Sequence, residues 1–260
     1  MSRQLPPLDL HAHIDVGVGA RELEGLGAVV FAATRSLDEA EAALARVDAV
    51  TIWGTGCHPG VAASQDQFDA DLFQNQMART AFVGEVGLDG VSKVPMERQT
   101  EVFTEILNLV AGDPRIVSVH SARATNRTLD VIERSGARGV ILHWWLGSPA
   151  ETGRALDLGC FFSINSSMDP QRLAAAGVPA ERLLPETDHP SGNRRGAFPR
   201  QPGSTRDVET KIAAAYGMAD DAVRQQFWTT FAGLVESLDV DRLLPSVVRA
   251  MLTRARQNQR

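Results

Sequence analysis

Short apolar runs recur along the chain, separated by longer stretches of mixed polarity. They fall at residues 8–14, 28–34, 50–56, 81–86, 115–120, 139–143, 160–164 and 182–186. Each is brief, partly β-branched or aromatic, and bounded by glycine, proline or polar residues. Strands buried on both faces of a parallel sheet read this way. The stretches between them carry helical signals. Residues 36–46 open on Ser36 as a candidate N-cap, with Glu39 three positions on, the spacing of a capping box. Residues 96–110 place Val102, Ile106 and Leu109 on one face, and 126–135 and 149–158 read as short helices. Residues 221–238 carry Val223, Phe227, Phe231 and Leu234 as an apolar stripe. Eight strands alternating with helices predict an α/β fold, a single (β/α)₈ TIM barrel over residues 1–260. The alternative is an open doubly wound sheet. No GxGxxG follows the first strand, which argues against its dinucleotide-binding form.

Composition narrows the picture. A chain of 260 residues with 43% hydrophobic content supports one large core and disfavours disorder. A formal net charge of -6 excludes a generic nucleic-acid coat protein but leaves room for a local basic patch. Arg194, Arg195, Arg200 and Arg206 supply one candidate, and Arg254, Arg256 and Arg260 another. For these arginines a solvated loop and a frayed terminus weigh equally with a functional role, and the loop has the better case. The two cysteines, Cys57 and Cys160, form no CxxC motif and no disulfide framework, as expected of a cytoplasmic protein. No apolar signal segment and no membrane-length apolar run is seen, so neither export nor membrane insertion is expected.

The candidate chemistry lies at the predicted strand ends. Of the six histidines, His11 and His13 end the first strand, His58 follows the third, His120 ends the fifth, His143 ends the sixth and His189 follows the eighth. Glu85 ends the fourth strand and Asp188 follows the eighth. A barrel gathers its C-terminal strand ends at one rim, where active sites are built. Alternation along a strand turns His11 and His13 to the same face. A lone strand histidine is more often a core residue than a ligand, and a lone HxH is a weak signal. Five histidines with two carboxylates at matching rim positions are harder to explain as packing, because buried charges need partners. Imidazole and carboxylate groups suit zinc, manganese or iron, and carboxylates extend the range to magnesium. Four histidines and two carboxylates suffice for two divalent ions sharing Glu85. Competing chemistries are weaker. Cys57 sits beside His58 but on the opposite strand face. Ser121, Ser163, Ser166 and Ser167 lack a GxSxG elbow. Trp144 and Trp145 are expected to divide between packing and contact with a substrate base.

Several segments resemble the TatD family of metal-dependent hydrolases. They are Asp9-Leu-His11-Ala-His13, Gly56-Cys-His58-Pro59, Gly84-Glu85-Val-Gly87-Leu-Asp89, Val119-His120-Ser121, Leu142-His143 and Glu186-Thr187-Asp188, followed by a last-helix segment containing Val223, Phe227 and Phe231. The resemblance implies a two-metal nuclease on a barrel. It assigns His11, His13, Glu85 and Asp188 to one ion and Glu85, His120 and His143 to the second, with His58 near a substrate phosphate. Three departures stand out. The arginine expected two residues after the fifth-strand histidine is replaced by Ala122, with Arg123 one position later. Gly90 stands where an aromatic usually follows Gly-Leu-Asp, and the segment after Asp188 differs. Gly-Leu-Asp-Gly, His-Ser-x-Arg-Ala and Leu-His-Trp together look most like the TatD-like component of Qat-type anti-phage operons.

The expected function is metal-assisted phosphodiester hydrolysis of DNA, single-stranded or at its ends, with two divalent ions (Mg, Mn or Zn) as cofactors. Asp188 and Glu85 are the expected catalytic carboxylates. His58 and Arg123 are expected to steady the phosphate. Alternatives are hydrolysis of an ester or amide, such as an aminoacyl-tRNA linkage or a lactone, and a non-catalytic subunit held by protein partners encoded nearby. Trp53, Trp228 and residues 243–252 offer either a partner surface or core.

Overall fold

The computed structural model describes residues 4–257, so Arg260 of the candidate basic tail lies outside the described residues. Eight strands form among the described residues: β1 (Leu8–Ala12), β2 (Val29–Ala32), β3 (Thr51–Trp53), β4 (Phe82–Gly87), β5 (Ile116–His120), β6 (Val140–Leu142), β7 (Phe161–Ile164) and β8 (Leu183–Pro185). All but Gly87 fall inside the runs read from the sequence. Every pairing is parallel and joins consecutive strands, in two sheets, β1-β2-β3 and β4-β5-β6-β7-β8. Single backbone hydrogen bonds cross both junctions between the sheets. At one, Gly84 N–H donates to Thr55 O (2.9 Å), Glu85 N–H to Thr34 O (2.8 Å) and Cys57 N–H to Glu85 O (3.0 Å). At the other, Asp188 N–H donates to His11 O (2.8 Å) and His13 N–H to His189 O (3.0 Å). Gly56 makes the first junction possible: a Cβ there would stand 2.2 Å from Thr34 O and 2.5 Å from Glu85 N.

Eleven α-helices accompany the strands among the described residues: α1 (Ala20–Gly25), α2 (Leu37–Leu44), α3 (Ala62–Asp66), α4 (Ala70–Met77), α5 (Met96–Gly112), α6 (Thr125–Ser135), α7 (Pro149–Asp157), α8 (Pro170–Ala175), α9 (Arg206–Tyr216), α10 (Asp220–Leu238) and α11 (Ser246–Gln257). The five helices read from the sequence are α2, α5, α6, α7 and α10. The other six were not read. Most of these are short, and a helix of one or two turns has too few apolar positions to show a period. The predicted cap of α2 forms only in part. Ser36 Oγ accepts from Glu39 N–H (3.2 Å), but the Glu39 carboxylate takes the Arg35 N–H (2.7 Å) in place of that of Ser36. A complete capping box forms instead at α7, between Ser148 and Glu151.

The core runs through the sheet and out to the helices. Phe31 packs edge-on against Phe82 (5.2 Å between centroids) and Phe231 (5.4 Å), joining β2, β4 and α10. Burial of each such side chain is worth about 1.5–3 kcal/mol. Trp53 and Trp228 are buried, their indole N–H groups donating to Asp48 Oδ2 (2.8 Å) and Pro6 O (2.8 Å). Leu244, Val248 and Leu252 are buried too. These tryptophans and the apolar side of α11 are therefore core, which corrects the option of a partner surface there. No helix among the described residues is long and apolar enough to cross a membrane.

Candidate metal centre

Six of the predicted residues meet at the C-terminal ends of the strands. β1 delivers His11 and, one residue beyond its end, His13; β4 delivers Glu85; β5 ends on His120; His143 follows β6; Asp188 follows β8. Glu85 stands in the middle. Its Oε2 lies 3.1 Å from His13 Nε2, 3.6 Å from His11 Nε2 and 3.4 Å from His58 Nε2. Its Oε1 lies 2.6 Å from His120 Nδ1 and 3.1 Å from His143 Nε2. Asp188 Oδ1 is 3.9 Å from both His11 Nε2 and His13 Nε2.

These distances form two groups that share the Glu85 carboxylate. In the first, the Ala33 carbonyl lies 3.1 Å from His13 Nδ1. A carbonyl only accepts, so His13 carries its proton there and presents a lone pair at Nε2. His11 Nδ1 meets Ser118 Oγ at 2.7 Å, and its Nε2 faces His13 Nε2 at 3.4 Å. In the second, His120 Nδ1 and His143 Nε2 stand 3.4 Å apart, both on Glu85 Oε1. His120 Nε2 and His143 Nδ1 are buried without a hydrogen-bond partner among the described residues. Converging imidazole nitrogens around a carboxylate, with orphaned nitrogens behind them, fit a divalent cation better than they fit one another.

His58 also comes within reach of Glu85 and His120, but its own hydrogen bond decides its role. Gly60 N–H donates to His58 Nδ1 (2.9 Å), so the neutral ring carries its proton on Nε2. That atom has no lone pair for an ion. It is a donor facing Glu85.

Electrostatics separates the groups further. Burial opposes ionisation of Glu85, but His58, His143 and His120 outweigh it and hold the carboxyl well below the usual carboxylate range. Burial pushes His11 down to about 4, and His143 beside it adds to the effect. Burial also opposes protonation of His143, yet Glu186 and Glu85 outweigh it and hold the ring well above the ordinary imidazole range. Burial raises Asp188 to about 7; His143 opposes this, while Glu186 and Glu85 add to it.

Four supporting residues received no role in the sequence reading. Glu186 is fully buried; its Oε2 lies 3.5 Å from His143 Nδ1, and its Oε1 accepts from Asn165 Nδ2 (2.9 Å) and Trp144 N–H (3.2 Å), with Ser163 Oγ donating to Oε2. Asp9 is fully buried and accepts from Thr187 Oγ1 (2.6 Å), Thr187 N–H (2.8 Å) and Gly203 N–H (2.7 Å), tying the chain beyond β8 to β1. Ser118 seats His11, and His189 Nδ1 lies 3.1 Å from Asn193 Nδ2. One signal was available in the sequence: Glu186 and Asp9 are acidic residues inside otherwise apolar runs, and a buried charge requires a partner.

The departures around the site are sterically linked. Gly90 N–H donates to Ala122 O (2.7 Å), and a Cβ on Gly90 would stand 2.6 Å from Arg123 O. The loop after β5 thus occupies the space that a side chain at position 90 would need. Arg123 is exposed and takes φ 50°. Trp144 (φ 43°) and Asp188 (φ 42°) also hold left-handed backbones, so three of the four non-glycine residues with positive φ among the described residues lie in the cluster or next to its strand ends. Strained backbone of this kind gathers at functional sites. Trp145 is buried, its N–H donating to Thr152 Oγ1 (2.9 Å), whereas Trp144 is half-buried. Trp145 is thus the packing residue of the pair. Burial pushes the Cys57 thiol up to about 12, which removes it as a nucleophile.

Known proteins resemble this chain in sequence and in fold. The chain is 30% identical over 205 residues to YcfH of Escherichia coli K12, described as an uncharacterized metal-dependent hydrolase; the match spans 74% of this chain and 76% of that protein. It is 30% identical over 161 residues to the human deoxyribonuclease TATDN3, covering 58% of each. The crystal structure of YJJV, a TatD homologue from Escherichia coli K12, superposes with a TM-score of 0.75 at 22% identity, over 87% of this chain and 96% of that one. The TatD related DNase sequence model matches residues 8–236, a span that contains the whole histidine–carboxylate cluster. The chain belongs to the TatD related DNase family.

Proposed function

We propose that the protein is a divalent-metal-dependent phosphodiesterase acting on DNA, a single hydrolase domain with two ions held between β1, β4, β5, β6 and β8. The observation that carries this reading is the placement of Glu85, whose Oε1 faces His120 and His143 and whose Oε2 faces His11, His13 and the donor His58. His11, His13, Glu85 and Asp188 would hold one ion, and Glu85, His120 and His143 the other. Bound divalent ions supply Lewis acidity and neutralise phosphate charge.

The chain's own residues account for the remaining steps. Asp188 can take a proton from the attacking water and return it to the leaving oxygen. His58 Nε2–H, fixed as a donor by Gly60, can hydrogen-bond a non-bridging phosphate oxygen. Arg123 has no ion-pair partner among the described residues and can meet the same charge from the rim. Glu186 and Ser118 position His143 and His11. The free buried cysteines suit a reducing cytoplasm. The resemblance to Qat-type components extends the reading to anti-phage defence with protein partners encoded nearby, for which phage plating on a gene deletion is the test.

The decisive experiment uses metal-stripped protein, end-labelled DNA, and Mg²⁺, Mn²⁺ or Zn²⁺ added back, beside a Glu85→Ala control. Glu85→Ala is expected to lose about a thousandfold or more in rate. Equal cleavage by wild type and control would sink the nuclease reading. Intact DNA with cleaved aminoacyl-tRNA or simple esters would move the same centre to ester or amide hydrolysis.

A further inference from the structure

The segment between β8 and α9 runs directly out of the metal centre and is anchored at both ends. Gly192 N–H donates to Asp188 O (2.7 Å), and the hydroxyls of Ser166 and Ser167 donate to Gly192 O (3.1 and 2.7 Å). At the far end Gly203 N–H donates to Asp9 Oδ2 (2.7 Å). Between these anchors, Arg194, Arg195, Ala197, Phe198, Pro199 and Arg200 are exposed. A tip so open on a base so well tied is unusual packing for an aromatic. Phe198 is 80% exposed, and the Arg200 guanidinium lies 4.3 Å from its ring centroid. Arg200 Nε donates to Gly196 O (3.0 Å), which seats the cation over one face of the ring. The opposite face is left to solvent.

The charge of the segment points the same way. Residues 189–206 hold four arginines and no acidic residue, in a chain whose formal net charge is -6. Arg194, Arg195 and Arg200 make no ion pair among the described residues. Arg194 Nε and Arg200 Nε each donate to a backbone carbonyl, which leaves their terminal guanidinium nitrogens available. An open aromatic face beside unpaired guanidinium groups is complementary to one kind of ligand: a base with a phosphate on either side. A base in a duplex has both faces covered, so the complement is single-stranded.

We propose that the loop after β8 is a nucleotide subsite for single-stranded nucleic acid, with Phe198 stacking on an unpaired base and Arg194, Arg195 and Arg200 holding the adjoining phosphates. The proposal rests on the nuclease reading and extends it. Phe198 is outside the histidine–carboxylate cluster, so the base it takes flanks the linkage that is cut. The subsite binds strand; it takes no part in the chemical step.

The test is fluorescence anisotropy of a labelled single-stranded oligodeoxynucleotide with metal-stripped full-length protein. Phe198→Ala is expected to weaken binding about tenfold, as removal of one base–aromatic stack should. The Arg194→Gln/Arg195→Gln double variant is expected to reduce the slope of log affinity against log salt by about 0.7 for each phosphate that the protein no longer neutralises. With ions restored, both variants should raise KM on the oligonucleotide at unchanged kcat, and both should cleave a dinucleotide like wild type. Wild-type anisotropy in both variants overturns the subsite, and does so cleanly when Glu85→Ala is inactive on the same DNA. A shift in binding to an acidic polypeptide, with none to the oligonucleotide, also overturns it. Active Glu85→Ala, with Phe198→Ala still impaired in binding, would instead overturn the nuclease reading and leave the strand-binding surface standing.

Discussion

His11 and His143 lie face to face, with ring centroids 4.2 Å apart and planes 6° from parallel, yet their surroundings push protonation in opposite directions. His11 belongs to the β1 side of the centre. There the remote nitrogens meet uncharged groups, the Ser118 hydroxyl and, for His13, the Ala33 carbonyl. His143 belongs to the β5–β6 side. Its remote nitrogen faces the Glu186 carboxylate at 3.5 Å, and that of His120 lies 3.8 Å from Asp89 Oδ2, neither within a hydrogen bond. On the β1 side burial holds His11 down to about 4, while Glu85 and Asp188 outweigh burial and raise His13. The β5–β6 side is set by charge, since Glu186 and Glu85 outweigh burial and favour the protonated form of His143. A proton and a divalent cation would therefore compete more strongly for His143 than for His11.

Breaking the charged side should have the largest effect. His143→Ala is expected to keep one bound ion and lose about a thousandfold in hydrolysis, read by metal analysis of the dialysed protein beside kinetics. Glu186→Gln tests the same side more gently, since a carboxylate behind a ligand histidine raises its basicity. It should weaken the second ion by about 10–100-fold while the first is retained, read by calorimetric titration. Ser118→Ala, the matching change on the β1 side, should move the first ion instead.

Asp188 sharpens the comparison through pH. Its folded value of about 7 lies above its ordinary 3.8, so the folded protein binds that proton more tightly than the unfolded chain. Stability from this group is complete below about pH 4 and is lost as pH rises towards about 7. Metal-free Asp188→Asn should therefore melt above metal-free wild type at neutral pH, and the two should converge in acid. No gap at neutral pH would contradict the raised value. The smallest expected change is Gly90→Ala. Its Cβ would press on Arg123 O, so a stability loss of about 1–3 kcal/mol and a raised KM for DNA are expected, with kcat and metal content unchanged.

The strands and the ligand types were legible because both follow local rules. Parallel strands buried on both faces leave continuous apolar runs, and the i, i+2 parity of His11 and His13 survives whatever surrounds them. Glu186, Asp9 and Ser118 were in plain view but carried no role, because each acts through a partner on another strand. Glu186 matters through His143, 43 residues earlier, and Ser118 through His11, separated by 107 positions. The tautomer of His58 is set by a hydrogen bond from Gly60, which the motif alone does not reveal.

By itself the sequence determined that eight apolar strands alternate with helices and that imidazoles and carboxylates cluster at their ends. It also set the local charge of the 189–206 segment. Only the tertiary structure decided which nitrogen of each histidine faces the centre and that Glu85 stands between two groups. The same holds for the open face of Phe198 beside Arg200. The reason is physical: periodicity and charge are properties of the chain, whereas tautomer, burial and proton affinity are set by neighbours that only folding brings within a few ångströms.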